Sequence, residues 1–360
     1  MNGFIKENIF NITYITGAHR LFRPVYGGIG SILMFHRIVP DSSPHRIPGA
    51  HEIEVTPEYL EESILWFKSK GYEIISLDEM YRRINKFNEN KNSENRFKKK
   101  WVVFTLDDGY IDNYIYAYPI FKRHNIPFTI YLATSFPEGE AIIWWYLIED
   151  MVKKNDVVNA CINGVNKSFK VDSLEKQIGV YTILVNIFRA ALKENNEREL
   201  LLKIFGIKKD EIYQKSRECS LSWKQVIELS NDPLCTIGAH SMNHTNLRSL
   251  SDDKCRREII DSGLHIENKI GKKIEHFCYP YGTKAEADER EMDIVADSSY
   301  KTATTTRWAN VFYDHKSCCQ SLPRVPMGRA QMQKGVKWLT MWTDGVLPAL
   351  KNRFRRVITK

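Results

Sequence analysis

The sequence has no run of 18 apolar residues, so it offers no helix that would cross a membrane; the longest apolar stretch, around Ile29 to Phe35, is far too short. It has no CxxC pair. Its seven cysteines (161, 219, 235, 255, 278, 318 and 319) are odd in number and irregularly spaced, which argues for free thiols in a reducing compartment. A signal-peptide pattern is missing too, since Lys6, Glu7 and Asn8 interrupt what would be its apolar region, and a cytoplasmic location is the expectation. There is no repeat or low-complexity tract, which excludes a solenoid or a fibre. No helix-turn-helix, zinc-finger or aromatic RNA-binding signature accompanies the net charge of +8, so nucleic acid is not the expected partner.

What is present suits a large folded unit. The 360 residues are 43% hydrophobic, 12% aromatic and 27% charged, enough to bury a substantial core. The positive excess concentrates in Arg96–Lys100 and in the tail, where Lys351, Arg353, Arg355, Arg356 and Lys360 fall.

From Ser31 onward short apolar runs alternate with amphipathic stretches. Ser31–Ile38 reads as a buried strand. Thr56 with Pro57 opens a helix that carries Leu60, Ile64 and Phe67 on one face and stops at Gly71. Tyr72–Ser76 is strand-like, and Ser76 with Glu79 has capping-box spacing. Asn85–Lys100 reads as a solvated loop, Trp101–Leu106 as a strand, Asp112–Arg123 as helical and Phe128–Leu132 as a strand. This is the βα rhythm of a parallel sheet or barrel.

Between about residues 134 and 221 the rhythm breaks. Trp144–Lys154 and Leu174–Ile204 read as mostly helical, and Asn163-Gly164 marks a hairpin turn. The rhythm resumes with strands at Cys235–Ala239, His276–Tyr279, Lys301–Thr305 and Leu322–Val325. Helices over Asp252–Ile270 and near Glu286–Ala296 separate them. The expected organisation is an amphipathic segment over 1–30, one barrel-like α/β domain over 31–330 with a mostly helical insertion at 134–221, and a basic helix or tail over 331–360.

Three polar clusters fall where strands end, which is where parallel α/β folds place their sites. The first is Thr105-Leu106-Asp107-Asp108-Gly109. Its adjacent carboxylates point in different directions, so one can hold a metal while the other faces substrate or water; an Asp-Gly pair is equally a plain turn. The second is His240-Ser241-Met242-Asn243-His244. Two imidazoles four residues apart converge on one cation if a helical turn follows the strand, and one carboxylate completes a facial set with positions left open. The third is Phe277-Cys278-Tyr279-Pro280-Tyr281-Gly282, a Pro/Gly turn able to present a backbone N–H.

Together, TLDDG, HSMNH and YPYG in this order resemble the polysaccharide deacetylase (NodB-homology, carbohydrate esterase family 4) domain, over roughly Ser31–Met327. The resemblance implies a distorted (β/α)7 barrel. It implies a divalent metal, usually Zn2+, on Asp108, His240 and His244, with Asp107 as general base and the Tyr281 backbone N–H at the oxyanion. The substrate implied is an N-acetylated sugar in a polysaccharide, an oligosaccharide or a lipid-linked precursor.

Two features depart from the family pattern. The Arg that often opens the third motif and pairs with the base is replaced by Cys278, and Arg324 in Leu322-Pro323-Arg324 is the expected substitute. No terminal Leu-x-His supplies a general acid, and His315 lies in a polar stretch. His36, at the end of the first strand, is the expected acid, as in a circularly shifted branch of the family. Alternatives are a deformylase or other amide hydrolase on a lipid-linked amino sugar, and a catalytically silent sugar-binding homologue.

Trp144-Trp145 is expected to pack in a core rather than stack on sugar rings, while Trp308 fits a groove or a core equally. The apolar residues Phe4, Ile5, Ile9, Phe10, Ile12 and Ile15, with Leu347, Leu350, Phe354, Val357 and Ile358 in the basic tail, fit two roles. They either form a peripheral membrane surface, at the inner face, or cover the open ends of the barrel.

Overall fold

A computed structural model describes residues 10–41, 46–86, 99–192 and 197–358. Seven parallel strands close on themselves: β1 (Gly30–Phe35), β2 (Trp101–Asp108), β3 (Phe128–Leu132), β4 (Cys235–Ala239), β5 (His276–Cys278), β6 (Thr302–Trp308) and β7 (Leu322–Pro326). Neighbours follow chain order around the ring, and β7 and β2 both pair with β1 to shut it. The pairing is regular on one side, where β1 and β2 align from Gly30 with Trp101 to Phe35 with Leu106. On the other it is sparse. β4 meets β5 only at Ala239 and Phe277, and the register slips between Thr304 and Trp308 on β6. The result is the distorted (β/α)7 barrel, with Glu73–Ile74 as a short extra strand beside the start of β2.

Most of the strands are largely apolar runs buried on both faces, as parallel sheets require; all eight residues of β2 are buried, whereas β6 carries four threonines and is only partly buried over its last three residues. Helices cover the outside through one apolar stripe each. In α1 (Pro57–Ser69) the Thr56 hydroxyl accepts from the Tyr59 N–H at 3.2 Å, Pro57 occupies the first turn, and Leu60, Ile64 and Phe67 face the core. The helix expected over Asp112–Arg123 is instead a π turn, Asn113–Ala117, followed by a helix at Tyr118–His124. Pro119 cannot donate to the carbonyl four residues back, and the widened turn absorbs that gap.

The insertion contains α2 (Trp144–Lys154), an antiparallel hairpin of Val157–Ile162 with Val165–Lys170, and α3 (Leu174–Ala191). Asn163 and Gly164 both take positive φ (52° and 79°), the geometry of a two-residue hairpin turn. The insertion has its own apolar core, in which Trp144 is buried against Phe188. A buried ion network ties it to the barrel. Arg46 bridges Glu149 on α2 (2.8 Å) and Glu54 (2.6 Å), and Tyr146 donates to Glu54 (2.8 Å).

At the end of the barrel where the strands begin, residues 10–26 pack with α4 (Val336–Thr343) and α5 (Val346–Lys351). Lys100, directly before β2, donates its Nζ to the carbonyls of Gly27 (2.8 Å) and Thr343 (3.3 Å). Trp308 packs here, 5.9 Å from Trp342 and 4.5 Å from the Lys351 Nζ, which makes it a packing residue. Among the described residues no helix is long and apolar enough to cross a membrane. Most of the expected Asn85–Lys100 loop, residues 87–98, lies outside the described residues.

Candidate metal centre at the C-terminal end of the barrel

β2 ends in Asp107-Asp108-Gly109, and the chain turns sharply there. Asp108 takes φ 78° and Gly109 φ 107°, a backbone conformation that favours glycine, and a Cβ on Gly109 would also press on Leu132 Cδ1 at 2.5 Å. The turn splits the two carboxylates. Asp107 points into the barrel, and Asp108 points at the loop that follows β4.

Between His240 and His244 that loop makes no helical turn, contrary to the condition on which the two imidazoles were expected to converge. Ser241 (φ 64°) and His244 (φ 55°) are left-handed, the Ser241 hydroxyl accepts from the His244 N–H at 3.0 Å, and the chain doubles back. The ring centroids of His240 and His244 come to 4.9 Å. Their Nε2 atoms lie 3.4 and 3.3 Å from Asp108 Oδ1. One ligand atom from each of the three residues fits within a 4.8 Å circle, and all three side chains are largely shielded from solvent.

The set fits a divalent cation on two further counts. Asp108 Oδ1 is buried without a hydrogen-bond partner, a costly state that a cation would relieve. His240 Nδ1 lies 2.7 Å from the Cys278 carbonyl, which can only accept; a proton therefore sits on Nδ1, and Nε2 faces the centre, where burial opposes a charge on the ring but the surrounding Cys278, Asp108 and Asp107 favour a positive one. Burial pulls the His244 imidazole down to about 4, which keeps it neutral and able to ligate.

Beside this set, Arg324 rises from β7 with no solvent exposure and grips Asp107 with two bonds, Nη1–Oδ1 at 2.6 Å and Nη2–Oδ2 at 2.7 Å. Its remaining donors reach the Thr305 carbonyl (2.9 Å) and the Thr105 hydroxyl (3.2 Å). Burial opposes ionisation of Asp107, but the guanidinium overcomes it and holds the carboxyl below the ordinary carboxylate range. His36, at the end of β1, brings Nε2 to 3.8 Å from Asp107 Oδ2. Tyr281 follows β5 with φ 58°, its ring edge-on to His244 at 4.9 Å, and among the described residues its N–H has no hydrogen-bond partner.

A family model described as Polysaccharide deacetylase matches residues 94–160 and 190–302, which together make half of the chain. The chain belongs to the polysaccharide deacetylase family. The break in that match falls within the insertion of this deacetylase-family chain. Over 88 residues it is 31% identical to YxkH of Bacillus subtilis (strain 168), a protein named for the same family; the stretch spans 24% of this chain and 29% of that relative. Among solved structures, Streptococcus pyogenes deacetylase PplD in complex with acetate superposes with a TM-score of 0.55 at 19% identity, covering 86% of this chain and 97% of that one. IcaB from Ammonifex degensii gives 0.52 at 15% identity, covering 88% and 97%. Both share the fold.

Within this deacetylase fold the seven residues singled out from sequence come together in one place. Cys278 explains the position of Arg324. A long side chain on β5 would occupy the barrel interior, whereas the Cys278 Sγ leaves room for the guanidinium and lies 3.1 Å from Nη2.

Several contributors are not visible in the sequence reading. Glu258, on the helix Asp252–Ile270, accepts from the backbone N–H groups of Met242 and Asn243, both at 2.9 Å, and from Asn243 Nδ2 at 2.6 Å. It pins the loop that carries both histidines. Asn113 donates to the His36 carbonyl (2.7 Å), and Asp112 accepts from Ile38 N–H (2.9 Å), so both fix the end of β1. From the insertion, half-buried Glu197 reaches the Tyr281 side chain, and burial pushes its carboxyl up to about 7. None of them carried a signal in the sequence: Asp112 and Asn113 open a stretch read as helical, and Glu258 and Glu197 lie in helical segments.

Glu258→Ala is expected to weaken Zn2+ binding by about 10–100-fold, because an unpinned loop must be ordered by the cation itself. Titration against a competing chelator measures this. An unchanged Kd would mean that Ser241 and the flanking strand hold the loop unaided.

Proposed function

We propose that this protein is a metal-dependent hydrolase that removes N-acetyl groups from an N-acetylated sugar in a polysaccharide, an oligosaccharide or a lipid-linked glycan precursor. The observation that carries this reading is an ionised Asp107, clamped by Arg324, directly beside the Asp108–His240–His244 set. A silent sugar-binding protein has no use for a buried, doubly hydrogen-bonded carboxylate next to a metal set, and burying that ion pair is costly. Membership of the deacetylase family supports the same reading.

A divalent cation held by Asp108, His240 and His244, with Zn2+ the best match to two imidazoles and one carboxylate, supplies Lewis-acid polarisation and acidifies water. Asp107 accepts the proton of the attacking water as the C–O bond forms at the acetyl carbon. Arg324 keeps that carboxylate ionised and fixes both of its oxygens, so its free lone pairs point in one direction. The oxyanion of the tetrahedral species takes the Tyr281 N–H, which the left-handed backbone turns away from the sheet and leaves unpaired. His36, protonated, gives its proton to the departing nitrogen as the C–N bond breaks, which leaves acetate and a free amine.

His36→Ala is expected to lower kcat by about 10²–10⁴-fold with folding and metal content intact. Near-normal kcat would remove His36 from the acid role.

The reading itself is tested by acetate release from a panel of N-acetylated sugars and oligosaccharides, with metal-loaded and chelated protein. Acetate that appears only with metal supports it. A formyl sugar cleaved while every acetyl sugar is ignored would move the bond from acetamide to formamide. No turnover on any amide, with one cation bound per chain, would overturn it.

A further inference from the structure

The segments that close the far end of the barrel have a second face that covers nothing. Residues 10–26 and 329–358 hold nine lysines and arginines against a single acid, Asp344, so their formal charge equals the +8 of the whole chain and the rest sums to zero. Asp344 is buried and taken up internally, 2.7 Å from His19 Nδ1 and 3.7 Å from Arg23 Nε. That cluster, with the Tyr26–Phe354 ring contact at 6.1 Å, holds the two segments together as one surface.

On that surface Ile12, Ile15, Leu21, Val25, Leu350 and Phe354 are 47–80% exposed. The same segments bury Trp338, Leu339, Trp342 and Ala349, so their inner side is already satisfied. The outer apolar side chains are not a core left open. Phe354 is placed outward at a backbone cost. It and Arg353 both take left-handed φ (63° and 51°), where glycine is the usual occupant, and the Phe354 N–H closes on the Ala349 carbonyl at 2.7 Å.

We propose that this face is a docking surface for an anionic lipid bilayer. Arg329 and Arg356 pair with Asp41 and Asp314, while among the described residues Arg20, Lys334, Lys337, Arg353 and Arg355 have no carboxylate partner. Exposed aliphatic and aromatic side chains set among such basic side chains match the layered chemistry of a membrane interface, apolar below and phosphate above. A second copy of the chain would bring +8 against +8, and a nucleic acid has no use for protruding isoleucine and leucine. The surface sits where the strands begin and the metal set where they end. A bilayer-bound molecule therefore holds its site at the end of the barrel turned away from the lipid. It would act on a glycan that extends from the membrane rather than on a group lying in it. The proposal does not depend on which amide is cleaved.

Co-sedimentation of the full chain with phosphatidylcholine vesicles, and with vesicles containing one-third phosphatidylglycerol, tests it. Expected is binding to the anionic vesicles at low salt that weakens about tenfold or more in Ile12→Ser/Ile15→Ser/Leu21→Ser/Leu350→Ser and in Arg353→Gln/Arg355→Gln. Melting temperature checks that both variants fold; the second touches no packed side chain. Full-chain protein that stays in the supernatant would overturn the proposal. So would a serine variant that binds as tightly as the parent, which would reduce the effect to surface charge, or a dimer in light scattering that the serine variant abolishes.

Discussion

Asp107→Asn is expected to reduce acetate release by about 10²–10⁴-fold, the contribution typical of a positioned general base. Asn keeps the shape of the side chain and one acceptor for Arg324, but it cannot take a proton from water. The substitution also leaves the Arg324 guanidinium buried with half its partner gone. Breaking one side of a buried ion pair costs about 3–5 kcal/mol, so a lowered Tm is expected together with the lost turnover. The two effects separate in one experiment: Zn2+ content and the far-UV spectrum at a temperature well below the variant's Tm should match the parent while acetate release does not. Parent-like turnover by a folded Asn variant would remove Asp107 from the base role.

The second large effect concerns Arg324. Arg324→Met keeps the volume of the side chain and removes both bonds to Asp107, the bond to the Thr305 carbonyl and the contact with Cys278. A destabilisation of about 3–5 kcal/mol is expected at neutral pH, because Asp107 would remain buried and unpaired. The pH dependence gives a sharper signature. With Arg324 present, Asp107 is held below its unfolded value of about 3.9. Its stabilisation is therefore fully present above about pH 4 and is lost as pH falls through the folded value.

Without Arg324 the largest downward influence on Asp107 is removed, and burial, opposed by His240 and His36, moves its carboxyl up from the parent's value. The stabilisation lost on acidification shrinks with the gap between folded and unfolded values, and the acid limb of the kcat/KM profile moves toward neutrality. Melting curves and rates from pH 4 to 8 measure both. An acid limb that stays where the parent's lies would show that Arg324 does not set the ionisation of the base.

The weak basicity that Arg324 imposes has a functional consequence. A carboxylate held low accepts a proton readily only from water that has itself been made acidic. The proposed base and the proposed cation therefore depend on each other, and loss of either should look alike in turnover. They should differ in binding, since chelation leaves the Asp107–Arg324 pair intact and Arg324→Met leaves the Asp108–His240–His244 set intact.

The local readings from sequence were sound where the physics is local. A strand buried on both faces must be apolar throughout, so β3 and β4 were read at their true limits. The helix Asp252–Ile270 repeats at 3.6 residues because one stripe of it, Cys255, Ile259, Ser262 and Ile266, is buried. The clusters holding Asp108, His240 and His244 could be picked out from residue types at strand ends, and the family resemblance supplied which of the two carboxylates joins the imidazoles. The way the trio converges could not be read. Whether His240 and His244 approach through a helical turn or through two left-handed residues depends on what receives the loop, and that is Glu258 on another helix.

The sequence by itself determined the class of the fold, the places along the chain where chemistry gathers, and the presence of a break in the βα rhythm, since period and composition are properties of neighbours in the chain. Only the tertiary structure decided that Arg324 reaches Asp107 through the space Cys278 leaves, and that Trp308 packs on Trp342. It alone decided that segments more than three hundred residues apart share one basic, apolar face. Each of these depends on contacts between residues distant in sequence, and such contacts are set by how the barrel closes and leave no periodic mark in the chain.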